Sequence, residues 1–168
     1  MCDKCDIFDK KQEKSALARE YFFKGYNCSQ SVAAAWCDEM GLDLKTVLKI
    51  SSGFGAGIGR MREVCGAFSG AVMVLGMLYG NINGSDPKAK GENYALVQRF
   101  AKRFKEENNF ESIICREMLG LSGSDKPMPE KRTNEYYKKR PCPDLIAMSS
   151  GLLCEFVYAD KNSTAKQD

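Results

Sequence analysis

Histidine is missing from this chain altogether, although the sequence runs to 168 residues. That absence removes histidine-ligated haem, zinc fingers of the mixed cysteine–histidine kind, and catalysis in which an imidazole serves as general base. Net charge is also scarce: the balance is only +3, so no global field points to nucleic acid or an anionic membrane. Alternating Val, Ile and Thr runs are lacking, which speaks against strands, and no internal repeat is visible. The start, "MCDKCDIFDKKQEK", has no apolar core, so a secretory signal is not expected. The longest apolar run, Val64 to Gly80, is near the lower limit for crossing a bilayer. It is rich in Gly and Ala and stands alone among amphipathic neighbours. A buried central helix in a cytoplasmic protein is therefore expected, with no membrane partner.

What is present is helical periodicity and sulfur. Lys10 to Lys24 reads as an amphipathic helix with Leu17, Ala18 and Tyr21 on one face. Asn27 suits the cap of "CSQSVAAAWCDEM", whose Val32, Ala35, Trp36 and Met40 point inward before Gly41 stops it. Asp43 caps "LKTVLKI", and the glycines of "SSGFGAGIGR" then break regular structure. The central helix follows over Glu63 to Tyr79, apolar on every side. Asp86-Pro87 opens a long helix to Glu107 with an inward stripe of Tyr94, Val97, Phe100, Ala101 and Phe104. Asn109 is the expected cap of "FESIICREML", closed by Gly120, and residues 121–141 read as a polar loop. Pro143 begins a last helix with Ile146, Ser149, Leu153, Phe156 and Val157 on its apolar face. The expected fold class is all-α, a single-domain bundle of about six helices. A flexible segment over 1–9 precedes the domain at 10–160, and a frayed tail follows over 161–168.

Eight cysteines are many for a chain in a reducing compartment, where thiols serve catalysis, redox sensing or metal binding rather than a disulfide scaffold. Cys28, Cys65 and Cys142 each fall at a helix start, where unpaired amides favour a thiolate and lower its pKa. Cys115 falls inside a short helix beside Arg116. Cys37 and Cys154 sit mid-helix among apolar residues, as packing cysteines do. Cys2 and Cys5 form a C-x-x-C without the strand–helix context of a thioredoxin motif. Gly66 and Gly70, four residues apart, make a small face against which another helix can pack closely. "GFGAGIG" follows no strand and lacks the Lys-Ser/Thr ending of a phosphate-binding loop, though its amides suit an anionic group. The basic "KRTNEYYKKR" reads as a solvated loop rather than a nucleic-acid contact, with Lys138, Lys139 and Arg140 biasing Cys142 towards thiolate.

The order "YNCSQSV", "SGFGAGIGRMREVCGAFSGAVMVLGMLYG", "ICREMLG" and "RPCPDLI" resembles the C_GCAxxG_C_C family of redox-active proteins. The resemblance runs from about Ala18 to Phe156. By position it singles out Cys28, Cys65, Cys115 and Cys142, leaving Cys2, Cys5, Cys37 and Cys154 as extras of this chain. It implies a redox role, with a redox partner protein or a transporter or oxidoreductase system as associates. It places Gly59, Arg60, Glu63 and Gly66 in the glycine block, where Arg60 and Glu63 orient the site or pair with each other. Similar modules form part of split-Soret cytochromes, which carry haem and an iron–sulfur centre. This chain has no C-x-x-C-H, so no haem is expected.

Three functions follow. Two or more of the four cysteines cycle between thiol and disulfide, as a thiol–disulfide oxidoreductase or an electron-transfer protein. Alternatively the same four cysteines ligate an iron–sulfur cluster or another metal, although their spacing matches no ferredoxin or zinc-ribbon pattern. The third reading is a helical interaction module without chemistry. The small-residue face and amphipathic first helix suit a homodimer.

Overall fold

The computed structural model describes residues 3–158, with side chains from residue 7. Cys2 and the tail at 161–168 lie outside these residues, as does the Cys5 side chain. Among the described residues the chain forms nine helices and no strand. They are α1 (Asp3–Phe23), α2 (Cys28–Ala34), α3 (Cys37–Met40), α4 (Leu44–Ser51) and α5 (Gly66–Tyr79). After them come α6 (Pro87–Glu107), α7 (Cys115–Leu119), α8 (Asn134–Lys138) and α9 (Cys142–Val157).

The all-α class holds, but the helices exceed the expected six, for local reasons. The "CSQSVAAAWCDEM" segment divides at Ala35–Trp36, where Trp36 leaves helical geometry at φ −118° and ψ 11°. Its indole is fully buried and donates to Ser150 Oγ at 3.0 Å, an anchor that fixes the break. Helix α8 forms inside the expected loop because Thr133 accepts the Tyr136 amide as its cap. The first helix begins at Asp3 rather than Lys10. Asn109 caps nothing. Instead Asn108 ends α6, its buried amide donating to Phe104 O and Ser112 O, so α7 starts only at Cys115.

Helix α1 packs along α9, and α5 lies between α2, α6 and α9. Helix α5 is buried through its first half (Gly66 to Ala71, then Val74 and Leu75), while Met77 and Tyr79 reach the surface. It is thus not apolar-buried on every side. Phe100 and Phe104 of α6 are fully covered and pack their rings on Phe68, a burial worth about 2–3 kcal/mol per side chain. Tyr94, expected on the same stripe, is 60% exposed, because the first half of α6 extends beyond the core.

The small face of α5 does what its spacing suggests. A Cβ on Gly70 would stand 2.6 Å from Ser29 O, and one on Gly66 would collide with Cys28 Sγ. Helix α2 therefore lies almost backbone to backbone on α5 and presses its first cysteine against the first turn of the central helix.

Candidate functional site: four thiols around one cavity

Between α4 and α5 the backbone is left-handed over five consecutive residues. Ala56, Gly57, Ile58, Gly59 and Arg60 have φ of 54°, 70°, 60°, 54° and 68°, and Arg62 follows at 61°. Each L-residue there costs about 1–2 kcal/mol. Wide turn hydrogen bonds hold the stretch, including Gly59 N–H to Gly53 O at 2.8 Å and Glu63 N–H to Gly57 O at 3.0 Å. Strain of this kind persists where the surroundings over-determine the conformation, and it gathers at functional sites. Here it directs the Ala56 N–H to Cys28 Sγ at 3.3 Å.

Immediately downstream, Val64 and Ile114 form an isolated antiparallel bridge. Cys65 N–H donates to Ile113 O at 2.8 Å and Cys115 N–H to Glu63 O at 2.6 Å. Two cysteines fifty residues apart in sequence are therefore tied side by side through their own backbones. Cys115 also proves to be the first residue of α7, not an interior one.

Cys28, Cys65, Cys115 and Cys142 all line one cavity of about 60 Å³, together with Phe22, Met118 and Leu145 among others. That is room for a few water molecules or one small group. All four are free thiols; Cys65 and Cys115 are buried, while Cys28 and Cys142 keep some exposed surface. Cys37 lies partly exposed at the start of α3 near Asp38, and Cys154 is fully buried in α9, both outside the cavity.

The helix starts at Cys65 and Cys142 do not lower those thiols' pKa values as the sequence suggested. Burial pushes Cys65 well up, with Cys28 the next cause; the amides of Phe68 and Ala67 oppose the rise without a side-chain cap bond forming. Burial pushes Cys142 to about 12, again with Cys28 next, and Arg140 opposes it only weakly. Lys138 and Lys139 do not enter among the leading influences. Burial raises Cys115 too, against the pull of Arg62, whose guanidinium lies 3.9 Å from its sulfur. Desolvation of the charged form outweighs the helix dipole. On each of the three, Cys28 is the leading thiol neighbour.

Around the cavity stands a cationic frame. Arg62 is buried and pairs with Asp125, holding that carboxyl below the usual range. Arg60 pairs with the same Asp125 at 3.1 Å and donates to Lys126 O. Glu63 instead meets Arg116 at 2.6 Å, so Arg60 and Glu63 do not pair with each other. Gly59 sits in the left-handed stretch, and Gly66 is where Cys28 comes closest to α5. Sequence reasoning missed Arg62, Asp125 and Arg132. Nothing in their spacing marks them, because the loop carrying Asp125 and Arg132 reaches the site only through folding.

Among the described residues no group of three or more cysteine or carboxylate side chains is placed to hold a metal ion. Four thiols lining one cavity are nonetheless the donor type that an iron–sulfur cluster takes. No helix among the described residues is long and apolar enough to cross a membrane.

No curated protein and no solved structure matches the chain. One family does: its description reads "Putative redox-active protein (C_GCAxxG_C_C)", and it matches residues 26–156. That match contains all four cavity cysteines and the whole left-handed loop, and on it the chain belongs to the C_GCAxxG_C_C family of redox-active proteins.

Proposed function

We propose that the chain is a thiol–disulfide redox protein in which Cys28 is the attacking thiol. The supporting observation is that the sulfur of the partly buried Cys28 accepts the Ala56 N–H while three further thiols line the same cavity. A backbone donor favours the sulfur when it is negative, and partial exposure lets a partner reach it. Cys65, Cys115 and Cys142 stay protonated at neutral pH, held so by burial. They suit the resolving step, because turning the Cys28 thiolate into a neutral mixed disulfide removes a neighbouring charge that opposes their ionisation.

The Cys28 thiolate attacks one sulfur of a partner disulfide. The S–S electron pair leaves with the other sulfur, which takes a proton from water. One of the three neighbouring thiols then attacks Cys28 Sγ, and the bonding pair leaves with the remaining partner sulfur, which takes up the proton that the attacking thiol gives up. Two protein thiols become one disulfide, and the partner disulfide becomes two thiols.

Peptide mapping after treatment with hydroxyethyl disulfide tests this. The expected product is one internal bridge joining Cys28 to Cys65, Cys115 or Cys142, and Cys28→Ser abolishes its formation. Stoichiometric iron with visible charge-transfer absorption in anaerobically purified protein would overturn the reading.

A further inference from the structure

Beside the thiol cavity lies a second, open cleft of about 570 Å³, within the range of small-molecule sites. Asn27, Ala56, Arg132 and Tyr136 line both spaces, so the cleft adjoins the cavity that Cys28 lines. Its other charged walls are Arg60 and Glu130.

The charges in and around this cleft are unequal. Arg60 and Arg62 share Asp125, and Arg140 holds Glu130 at 3.2 Å. Arg132 differs from all of these. Its guanidinium donates to Phe22 O at 2.7 Å and Tyr26 O at 2.9 Å, and it lies 4.4 Å over the Phe22 ring. Among the described residues it has no ion-pair partner. Two neutral carbonyls and a ring position the fork without neutralising it, and N–H groups remain for a ligand. The position is also tightly held, which limits the entropy cost of a second bond.

We infer that this cleft binds a small disulfide bearing carboxylates, with Arg132 as the carboxylate contact and the S–S bond delivered to Cys28. The inference rests on the thiol–disulfide reading of Cys28 and adds the substrate class. Arg132 binds and the loop at Ala56 supplies the amide to the attacking sulfur; the bond changes are those already written, with the anionic disulfide as oxidant.

Three probes of nearly one skeleton separate the possibilities: dithiodiglycolate (anionic), hydroxyethyl disulfide (neutral) and cystamine (cationic). The rate of mixed-disulfide formation at Cys28 of the reduced full chain is read by mass spectrometry. Dithiodiglycolate is expected to react about tenfold faster than the neutral probe, with cystamine slowest, as one charge-assisted contact provides. The advantage shrinks as salt is added. In Arg132→Gln the anionic-to-neutral ratio falls to about one, whereas Arg132→Lys keeps part of it because the charge remains. Each ratio is taken within one variant, so a general loosening of the fold cancels. Equal rates for all three probes, or an unchanged ratio in Arg132→Gln, overturn the substrate class alone. Failure of Cys28 to react with any probe overturns the thiol–disulfide reading and this inference with it.

Discussion

At Cys28 two neighbours compete for the same space, the sulfur and the first turn of α5, and glycine at position 66 is what lets both fit. A Cβ there would meet Cys28 Sγ and stand 2.9 Å from Phe54 O. Gly66→Ala is therefore expected to destabilise the fold by about 1–3 kcal/mol, seen as a lower urea midpoint. The four thiols also differ sharply in what surrounds them. Cys28 takes a backbone N–H at 3.3 Å, whereas burial raises Cys65, Cys115 and Cys142, the last to about 12. Iodoacetamide at neutral pH should thus label Cys28 ahead of the other three, because burial disfavours the thiolate at each of them. Labelling of Cys142 ahead of Cys28, read by peptide mass, would remove the basis for naming Cys28 the attacker.

Among the elements, the left-handed stretch after α4 carries the clearest conflict between local preference and tertiary demand. Ala56, Ile58, Arg60 and Arg62 all hold positive φ. Ala56 carries only a methyl group and is partly exposed, so Ala56→Gly tests chiefly the backbone effect. It should raise stability by about 0.5–1 kcal/mol, with the relief of left-handed strain exceeding the extra entropy of the unfolded chain. A lower unfolding midpoint would mean that the stretch is not strained at this position. The short helices α7 and α8 make the complementary point. Neither is long enough to be stable in isolation; the Val64–Ile114 bridge holds one in place, and Arg140 stacked 4.8 Å over Tyr136 helps hold the other.

For the molecule as a whole, the buried thiols link stability to pH. Burial holds Cys142 and Cys154 at about 12 and Cys65 well above the ordinary thiol range. Thiols of the unfolded chain ionise near about 8.5. The folded chain therefore keeps protons that the unfolded chain releases. Stability is fully present below about pH 8.5 and is lost as pH rises towards the folded values, by at most about 1.4 kcal/mol per pH unit per thiol. Cys142 keeps some surface, so its share lies under that ceiling. Urea midpoints under reductant should fall between about pH 8 and about pH 10, and less steeply in Cys154→Ala. Equal slopes in the parent and Cys154→Ala would show that this buried thiol is not part of the linkage.

Helical periodicity, the caps Asn27, Asp43 and Asp86, and the small face at Gly66 and Gly70 were all legible in the sequence, because each depends on residues within a few positions of one another. So was the family cysteine set, since its order along the chain is itself the signature. The break at Trp36 was not legible, as it follows from an anchor on Ser150 more than a hundred residues away. Nor were the directions of the thiol pKa shifts: a helix start can be read locally, but the desolvation that overrides it depends on what the rest of the chain packs against the sulfur. By itself the sequence determined an all-α chain of a redox-active family with four marked cysteines. Only the tertiary structure decided that they line one cavity, that Cys28 meets a backbone donor from a left-handed loop, and that an arginine without an acidic partner among the described residues stands beside it. The reason is physical: burial and charge balance are sums over distant residues, and no short stretch of sequence contains them.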